Sequence, residues 1–381
     1  MSRFTAVLLV LFSAAAAADP VPAPPTLAAK SYVLLDFASG QLLAQAGGDT
    51  RVDPASLTKL MTAYVTFDEL KKGHIKRDDQ VLISERAWRQ GYSSNESRMF
   101  IRVGTRVSVN DLLQGMIVVS GNDASVALAE HVGGTEEVFA DLMNQAARAV
   151  GLTGTHYTNA TGVPDPQEYT TARDIAVLSR ALIRDFPEDY ALFHQHDYTY
   201  ANIHQPNRNL LLGLDPTVDG IKTGHTEAAG YCLAASAQRD GRRLIAVVMG
   251  TDSTNARAQA ALALLNYGFR FFESRQLAAA RQALAKVRIW KGDQLEVPLG
   301  IATTLNVALP RGAADAVQLK PEVAGPVYAP VQAGQVLGKL HVIADGRELR
   351  VEPLIALQPV PEGSWWRKLS DEIRIYLGQT S

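Results

Sequence analysis

The chain has 381 residues, enough for two or three domains, and 47% of them are hydrophobic, so it can build a core and is not disordered. Its formal net charge of −2 argues against a nucleic-acid binder. One cysteine, Cys232, leaves no disulfide framework and no zinc ribbon.

The chain opens with Arg3, an apolar run from Phe4 to Phe12 and a string of alanines. Ala16 and Ala18 give the small-x-small spacing of a cleavage site before Asp19. Residues 1–18 therefore read as a secretory signal peptide, with an apolar run too short for a membrane span. An exported protein is expected. After a proline-rich stretch, "SYVLLDFASGQLLAQ" reads as a hairpin: a strand from Tyr32 to Phe37, a turn at Ala38–Gly40, and a return strand from Gln41 to Gln45.

"DPASLTKLMTAYVTFDELKKG" then predicts a helix between Asp53 and Gly73. Asp53 is a suitable N-cap and Pro54 a suitable first residue. Leu57, Leu60, Met61, Tyr64, Val65 and Leu70 recur on one face. Lys71, Lys72 and Gly73 suit the C-terminus. Ser56 and Lys59 stand one turn apart on the same side. Ser-x-x-Lys alone marks nothing beyond a capped helix.

"VNDLLQGMIVV", "DASVALAEHVGG", "EEVFADLMNQAARAVG" and "TARDIAVLSRALIRDF" predict four more helices. His194, His196 and His204 form a histidine cluster, read as a surface loop rather than a metal site. Further on, "GYCLAASA" and "RRLIAVVMG" flank a hairpin turn at Gln238–Gly241, and Ala256 to Phe272 reads as a long helix. Early and late strands thus enclose a helical insertion. The expectation is an α/β (α+β) fold over residues 25–280, with one antiparallel sheet covered by helices. Residues 285–361 alternate in short strands and predict a small all-β sandwich domain. Residues 363–381 predict an amphipathic helix with Trp366, Leu369, Ile373, Tyr376 and Leu377 on one face. Paired tryptophans beside Arg367 and Lys368 suit a helix lying in a membrane surface.

Two more stretches bear on Ser56. Ser120-Gly121-Asn122 falls between two helices, and Lys222-Thr223-Gly224-His225 leads into the late hairpin. Serine hydrolysis needs a nucleophile, a base and donors for an oxyanion. Ser56 supplies the first. Lys59 can be the base only if its pKa falls from about 10.4 towards neutrality, and burial beside Lys222 would push it that way. Ser120 can relay a proton to the leaving amine, and Asn122 can hold a substrate amide. The backbone N–H groups of Ser56 and His225 form a candidate oxyanion hole.

In this order the three stretches resemble the penicillin-recognising serine enzymes, whose motifs are S-x-x-K, S-D-N and K-T-G. "DPASLTKLMT", "SGNDASVALAE" and "VDGIKTGHTEAAGY" are similar to those of the low-molecular-mass penicillin-binding proteins, the D-alanyl-D-alanine carboxypeptidases. The resemblance implies a β-lactamase/transpeptidase-like catalytic fold and a peptidoglycan stem peptide ending in D-Ala-D-Ala as substrate. It implies Thr223 and Gly224, with Arg257 or Arg208, at the terminal carboxylate. It also implies β-lactams as covalent inhibitors, no metal or other cofactor, and attachment to the periplasmic face of the inner membrane through the C-terminal helix. "GYSSNESRMF", Gly91–Phe100, is similar to a loop near the site and is a candidate lid. Two alternatives stand beside this reading. A β-lactamase of class A would carry a Glu-x-x-Leu-Asn stretch between Asn122 and Lys222, and none occurs there. The other alternative is a non-catalytic peptidoglycan-binding protein.

Overall fold

The computed structural model describes residues 21–90, 96–313, 317–323, 325–344 and 346–377. The expected signal peptide, part of the candidate lid and the last four residues lie outside this range. The chain divides into two compact units, Ala23–Ser274 and the residues from Arg275 onward.

The first unit is organised by a five-stranded antiparallel sheet. Its order is Leu42–Ala46, Ser31–Asp36, Arg242–Thr251, Gly230–Arg239 and Val218–Thr226. The first hairpin of the chain therefore pairs with the last strand of the unit, with Val33 opposite Val247 and Leu35 opposite Ile245. Both faces are covered, which is why Ser31–Asp36 is buried along its whole length. Val33, Leu35, Ile245 and Val247 share a core with Ile175, Leu178 and Leu182 of the Ala172–Asp185 helix. Each such buried side chain is worth about 1.5–3 kcal/mol relative to exposure. On the other face lies helix Thr254–Phe271. It approaches so closely at Gly268 that a Cβ there would stand 2.6 Å from Leu244 and 2.8 Å from Leu34.

The helical insertion follows its local signals. Ser108 caps Val109–Ile117, Thr135 caps Glu136–Val150, and Thr171 caps Ala172–Asp185 through the Asp174 N–H. Gly73 and Gly151 close their helices at positive φ, where only glycine is unstrained. Two boundaries differ from expectation. The first hairpin is shifted by one residue, to Ser31–Asp36 and Leu42–Ala46. The helix read from Asp53 begins as a 3-10 turn, Ala55–Thr58, and becomes α-helical only at Lys59. Asp53 accepts from the Ala55 N–H at 2.9 Å rather than capping an α-helix. The cause is Ala55, which holds a left-handed φ of 48° and breaks the helical run.

The second unit is all-β apart from its last helix. A six-stranded sheet and a two-stranded pair enclose a core that includes Ile289, Val297, Leu299, Val307, Leu340 and Leu354. Helix Trp365–Tyr376 docks on this unit by its polar side. Asp371 is 2% exposed and accepts from the Lys291 N–H at 2.7 Å, while Lys291 Nζ pairs with Glu372 at 3.0 Å. The apolar side faces outward: Trp365, Trp366, Leu369, Ile373 and Tyr376 are all exposed. No described helix is long and apolar enough to cross a membrane.

Candidate active site

Strand Val218–Thr226 is the edge of the main sheet, and it runs beside the Ser56 turn. Gly224 permits this. A Cβ there would meet Ala55 Cβ at 3.2 Å and Leu57 N and Pro54 O at 3.3 Å. On another side lies the loop at residues 159–163. Gly162 has φ +80°, and a Cβ there would stand 1.8 Å from Ala55 O. Asn159 Oδ1 holds this loop by accepting from the N–H groups of Thr161 and Gly162. The gap between helices Val109–Ile117 and Asn122–Gly133 supplies Ser120, at a left-handed φ of 63°. Left-handed backbone costs a non-glycine residue about 1–2 kcal/mol, so Ala55 and Ser120 are both strained beside the same pocket.

Five residues singled out from the sequence form two hydrogen-bonded groups here. Lys59, 1% exposed, donates from Nζ to Ser56 Oγ at 2.9 Å, Asn122 Oδ1 at 2.7 Å and Thr161 O at 2.6 Å. Lys222, 3% exposed, donates to Ser120 Oγ at 2.9 Å and to Thr223 O at 3.1 Å. The two-residue step from Ser120 to Asn122 joins the groups. Burial lowers the pKa of Lys59 to about 7, an effect partly offset by the negative charge of Glu96. Burial also pushes Lys222 well below the usual lysine range, helped by the charge of Lys59 and then by Arg208 and Arg257. A pocket that disfavours protons on both amines is suited to base catalysis near neutral pH.

The pocket opens into a cleft of about 580 Å³. Thr223, Gly224 and His225 line it on the strand side, and Arg208 and Arg257 line the same end. The two arginines differ. Arg257 is 5% exposed, and its Nη1 donates to Gly224 O at 3.1 Å, so it braces the edge strand. Arg208 is exposed at the cleft wall, and its guanidinium has no hydrogen-bond partner among the described residues. His204 lines the cleft, while His194 and His196 lie ring to ring at 5.7 Å. Among the described residues no three His, Cys, Asp or Glu side chains converge as a metal site.

Three contributors carry no sequence motif. The Thr161 carbonyl is a backbone group. Glu96 accepts from Asn122 Nδ2 at 2.8 Å and lines the cleft. Glu168 accepts from Thr58 Oγ1 at 2.7 Å and from Thr158 Oγ1 at 3.2 Å, and burial raises its pKa to about 7. Glu168 is buried, and its carboxylate ties the Ser56 turn to the loop at residues 158–159 through Thr58, Thr158 and Asn159.

A serine hydrogen-bonded to a buried lysine, beside a second Ser–Lys pair, is an arrangement suited to serine acyl transfer, and Arg208 and Arg257 make one end of the cleft cationic. The comparisons with known proteins agree. Residues 18–253 match the D-alanyl-D-alanine carboxypeptidase family, and residues 272–362 match the penicillin-binding protein 5 C-terminal domain. D-alanyl-D-alanine carboxypeptidase DacC of Escherichia coli is 39% identical over 379 residues, 98% of this chain and 95% of the relative. DacA of Haemophilus influenzae is 41% identical over 352 residues, 91% and 89% of the two chains. The crystal structure of penicillin binding protein 5 from Haemophilus influenzae is similar with a TM-score of 0.86 and 41% identity, over 90% of this chain and 100% of that one. The chain belongs to the D-alanyl-D-alanine carboxypeptidase family. It is a serine-type hydrolase of the low-molecular-mass penicillin-binding class, with the transpeptidase-like fold expected from its motifs.

Proposed function

We propose that the chain removes the terminal D-alanine from peptidoglycan stem peptides, with Ser56 as nucleophile and Lys59 as its base. The observation that carries this reading is the set of three neighbours around Lys59 Nζ. A neutral amine has two hydrogens and one lone pair. Asn122 Oδ1 and Thr161 O can only accept, so they take the hydrogens. In the charged amine the third hydrogen goes to Ser56 Oγ at 2.9 Å; once Lys59 is neutral, the lone pair takes that place and faces the Ser56 hydroxyl.

The steps then follow. Ser56 Oγ bonds to the penultimate carbonyl carbon as its proton passes to Lys59. The carbonyl electron pair moves onto oxygen, held by the N–H groups of Ser56 and His225. The pair returns, the C–N bond breaks, and the D-alanine nitrogen takes the proton by way of Ser120, which Lys222 hydrogen-bonds. Water then attacks the acyl-serine and gives one proton back to Ser56 Oγ. Asn122 holds a substrate amide, and Thr223 with the exposed Arg208 receives the terminal carboxylate. Arg257 keeps the edge strand in place and adds to the positive field.

A β-lactam follows the same first step, but its leaving nitrogen stays tethered by the ring and crowds the path of water. Each 1.4 kcal/mol of added barrier slows deacylation about tenfold. Incubation with benzylpenicillin should give one penicilloyl group per chain, located on Ser56 by peptide mass spectrometry, with carboxypeptidase activity recovering far more slowly than a peptide turns over. Penicillin hydrolysis as fast as peptide hydrolysis, or labelling elsewhere, would overturn the assignment.

We further propose that residues 1–18 direct export and that the terminal helix holds the enzyme on the outer face of the inner membrane. The division of the mature chain into a catalytic unit, a β unit and this helix follows. Support comes from the orientation of Trp365–Tyr376: its acidic residues are tied to the β unit, and its apolar residues face solvent. Deletion of residues 363–381 should leave an active enzyme that no longer sediments with vesicles of bacterial lipid. Full-length protein that ignores such vesicles would remove the anchor.

A further inference from the structure

Glu96 belongs to none of the three motifs, yet it is the carboxylate that meets the catalytic groups. It lines the cleft and accepts from Asn122 Nδ2 at 2.8 Å. The segment that delivers it is tied to the Ser-Gly-Asn stretch. Ser97 O accepts from the Asn122 N–H at 2.8 Å, and the N–H groups of Met99 and Phe100 donate to Asp123 at 2.8 and 2.9 Å. Gln205 Nε2 donates to Arg98 O at 3.1 Å and ties the segment to the cleft wall. Asp123 itself is 1% exposed. The residues that follow Glu96 are therefore anchored by bonds to Asn122, Asp123 and Gln205, and Glu96 is carried at the start of that anchored segment.

The chemistry of an amide gives this contact its meaning. A carboxylate accepts and does not donate, so it admits only the NH2 end of Asn122. That fixes the amide oxygen on Lys59, at 2.7 Å. If Asn122 turned over, its oxygen would face the Glu96 carboxylate, acceptor against acceptor. Its NH2 would then face Lys59 and compete with the Ser56 hydroxyl for the lone pair. The choice between these arrangements decides whether Lys59 can accept a proton from Ser56. We propose that Glu96 is a positioning residue for acylation, which locks the Asn122 amide and so aims the lone pair of Lys59 at Ser56. The proposal rests on Lys59 being the base, as read above.

Glu96 also acts through its charge. The charges acting on Lys59 are Glu96, Glu168 and Asp123, which favour its proton, and Arg208, which opposes it; Lys59 in turn lowers the pKa of Lys222. Glu96 is the largest of the acidic contributions. Removing it makes Lys59 easier to deprotonate, while removing the lock makes the freed lone pair less well aimed.

The test is the pH dependence of benzylpenicillin acylation in the full chain, for wild type, Glu96→Gln and Glu96→Ala. Glutamine keeps the shape but can donate, so it no longer dictates which end of Asn122 it meets. Both variants should show the acid limb displaced about half a pH unit lower, and a plateau rate reduced about tenfold. A merely structural role would lower the plateau or the melting temperature and leave the limb where it was. A limb at the wild-type position in both variants overturns the role of Glu96. So does a plateau within about twofold of wild type in Glu96→Ala. Wild type that is not acylated at Ser56 overturns the base reading, and this proposal with it.

Discussion

Lys59→Arg should lose acylation by about a thousandfold, because it removes the base and not merely a contact. A guanidinium holds its proton at every pH a protein tolerates. Lysine at this position does not, since burial brings its pKa to about 7. The direction with pH follows from the same value. Above about 7 Lys59 is mostly neutral and can accept the Ser56 proton. Below it the ammonium dominates, and acylation of the wild type should fall about tenfold per pH unit. The arginine variant should show no such limb. Rapid-mixing measurements of penicillin acylation across neutrality, with melting temperatures recorded beside them, separate a lost base from a lost fold. An arginine variant acylated at the wild-type rate would end the case for Lys59.

Gly162→Ala should be the most damaging change outside the catalytic side chains. The added methyl would sit 1.8 Å from Ala55 O, 2.4 Å from Ala55 C and 2.8 Å from Thr58 Oγ1. The first two are backbone atoms of the nucleophile turn, so no flexible side-chain end can swing away. The φ of +80° adds a left-handed penalty for any residue with a Cβ. Left-handed strain and overpacking together come to about 2–5 kcal/mol. A loop that moved to escape this would carry the Thr161 carbonyl off Lys59 and free one of its hydrogens. The variant should therefore unfold at lower denaturant and, where folded, acylate at least about tenfold more slowly. Wild-type values of both would mean the loop does not pack under Ser56.

How much of this was legible in the sequence depends on how local each signal was. Helices announced themselves through caps and apolar spacing, and Thr171 and Gly151 start and stop theirs where expected. Ser56, Lys59, Ser120, Asn122 and Lys222 were readable because each sits in a short motif, and the structure brings them within hydrogen-bond reach of one another in two groups. The 3-10 turn was not readable. Pro54 and Asp53 suit an α-helix equally well, and the left-handed Ala55 packs against Gly162 and Gly224, which lie over a hundred positions away. Glu96 was legible only as part of Gly91–Phe100, the loop expected near the site, and its own contact was not. A glutamate in a polar stretch looks solvated until Asp123 fixes the backbone around it. The terminal helix was half legible. Its apolar stripe was plain, but the buried Asp371 that ties down the opposite side depends on Lys291.

The first hairpin of the chain is completed by its last strand, and this has a consequence for when the protein becomes dangerous to a cell wall. Ser56 and Lys59 are made early, but Lys222 arrives on a strand that pairs through Gly230–Arg239 and Arg242–Thr251 before it reaches Ser31–Asp36. Pairings so distant in sequence form late, since the loop between them must close first. A chain that ends before Arg242 holds the nucleophile and its nearest lysine, with no central strand to join them to the second lysine. By this topology the two halves of the active centre should come together late, once the strands that join them have paired.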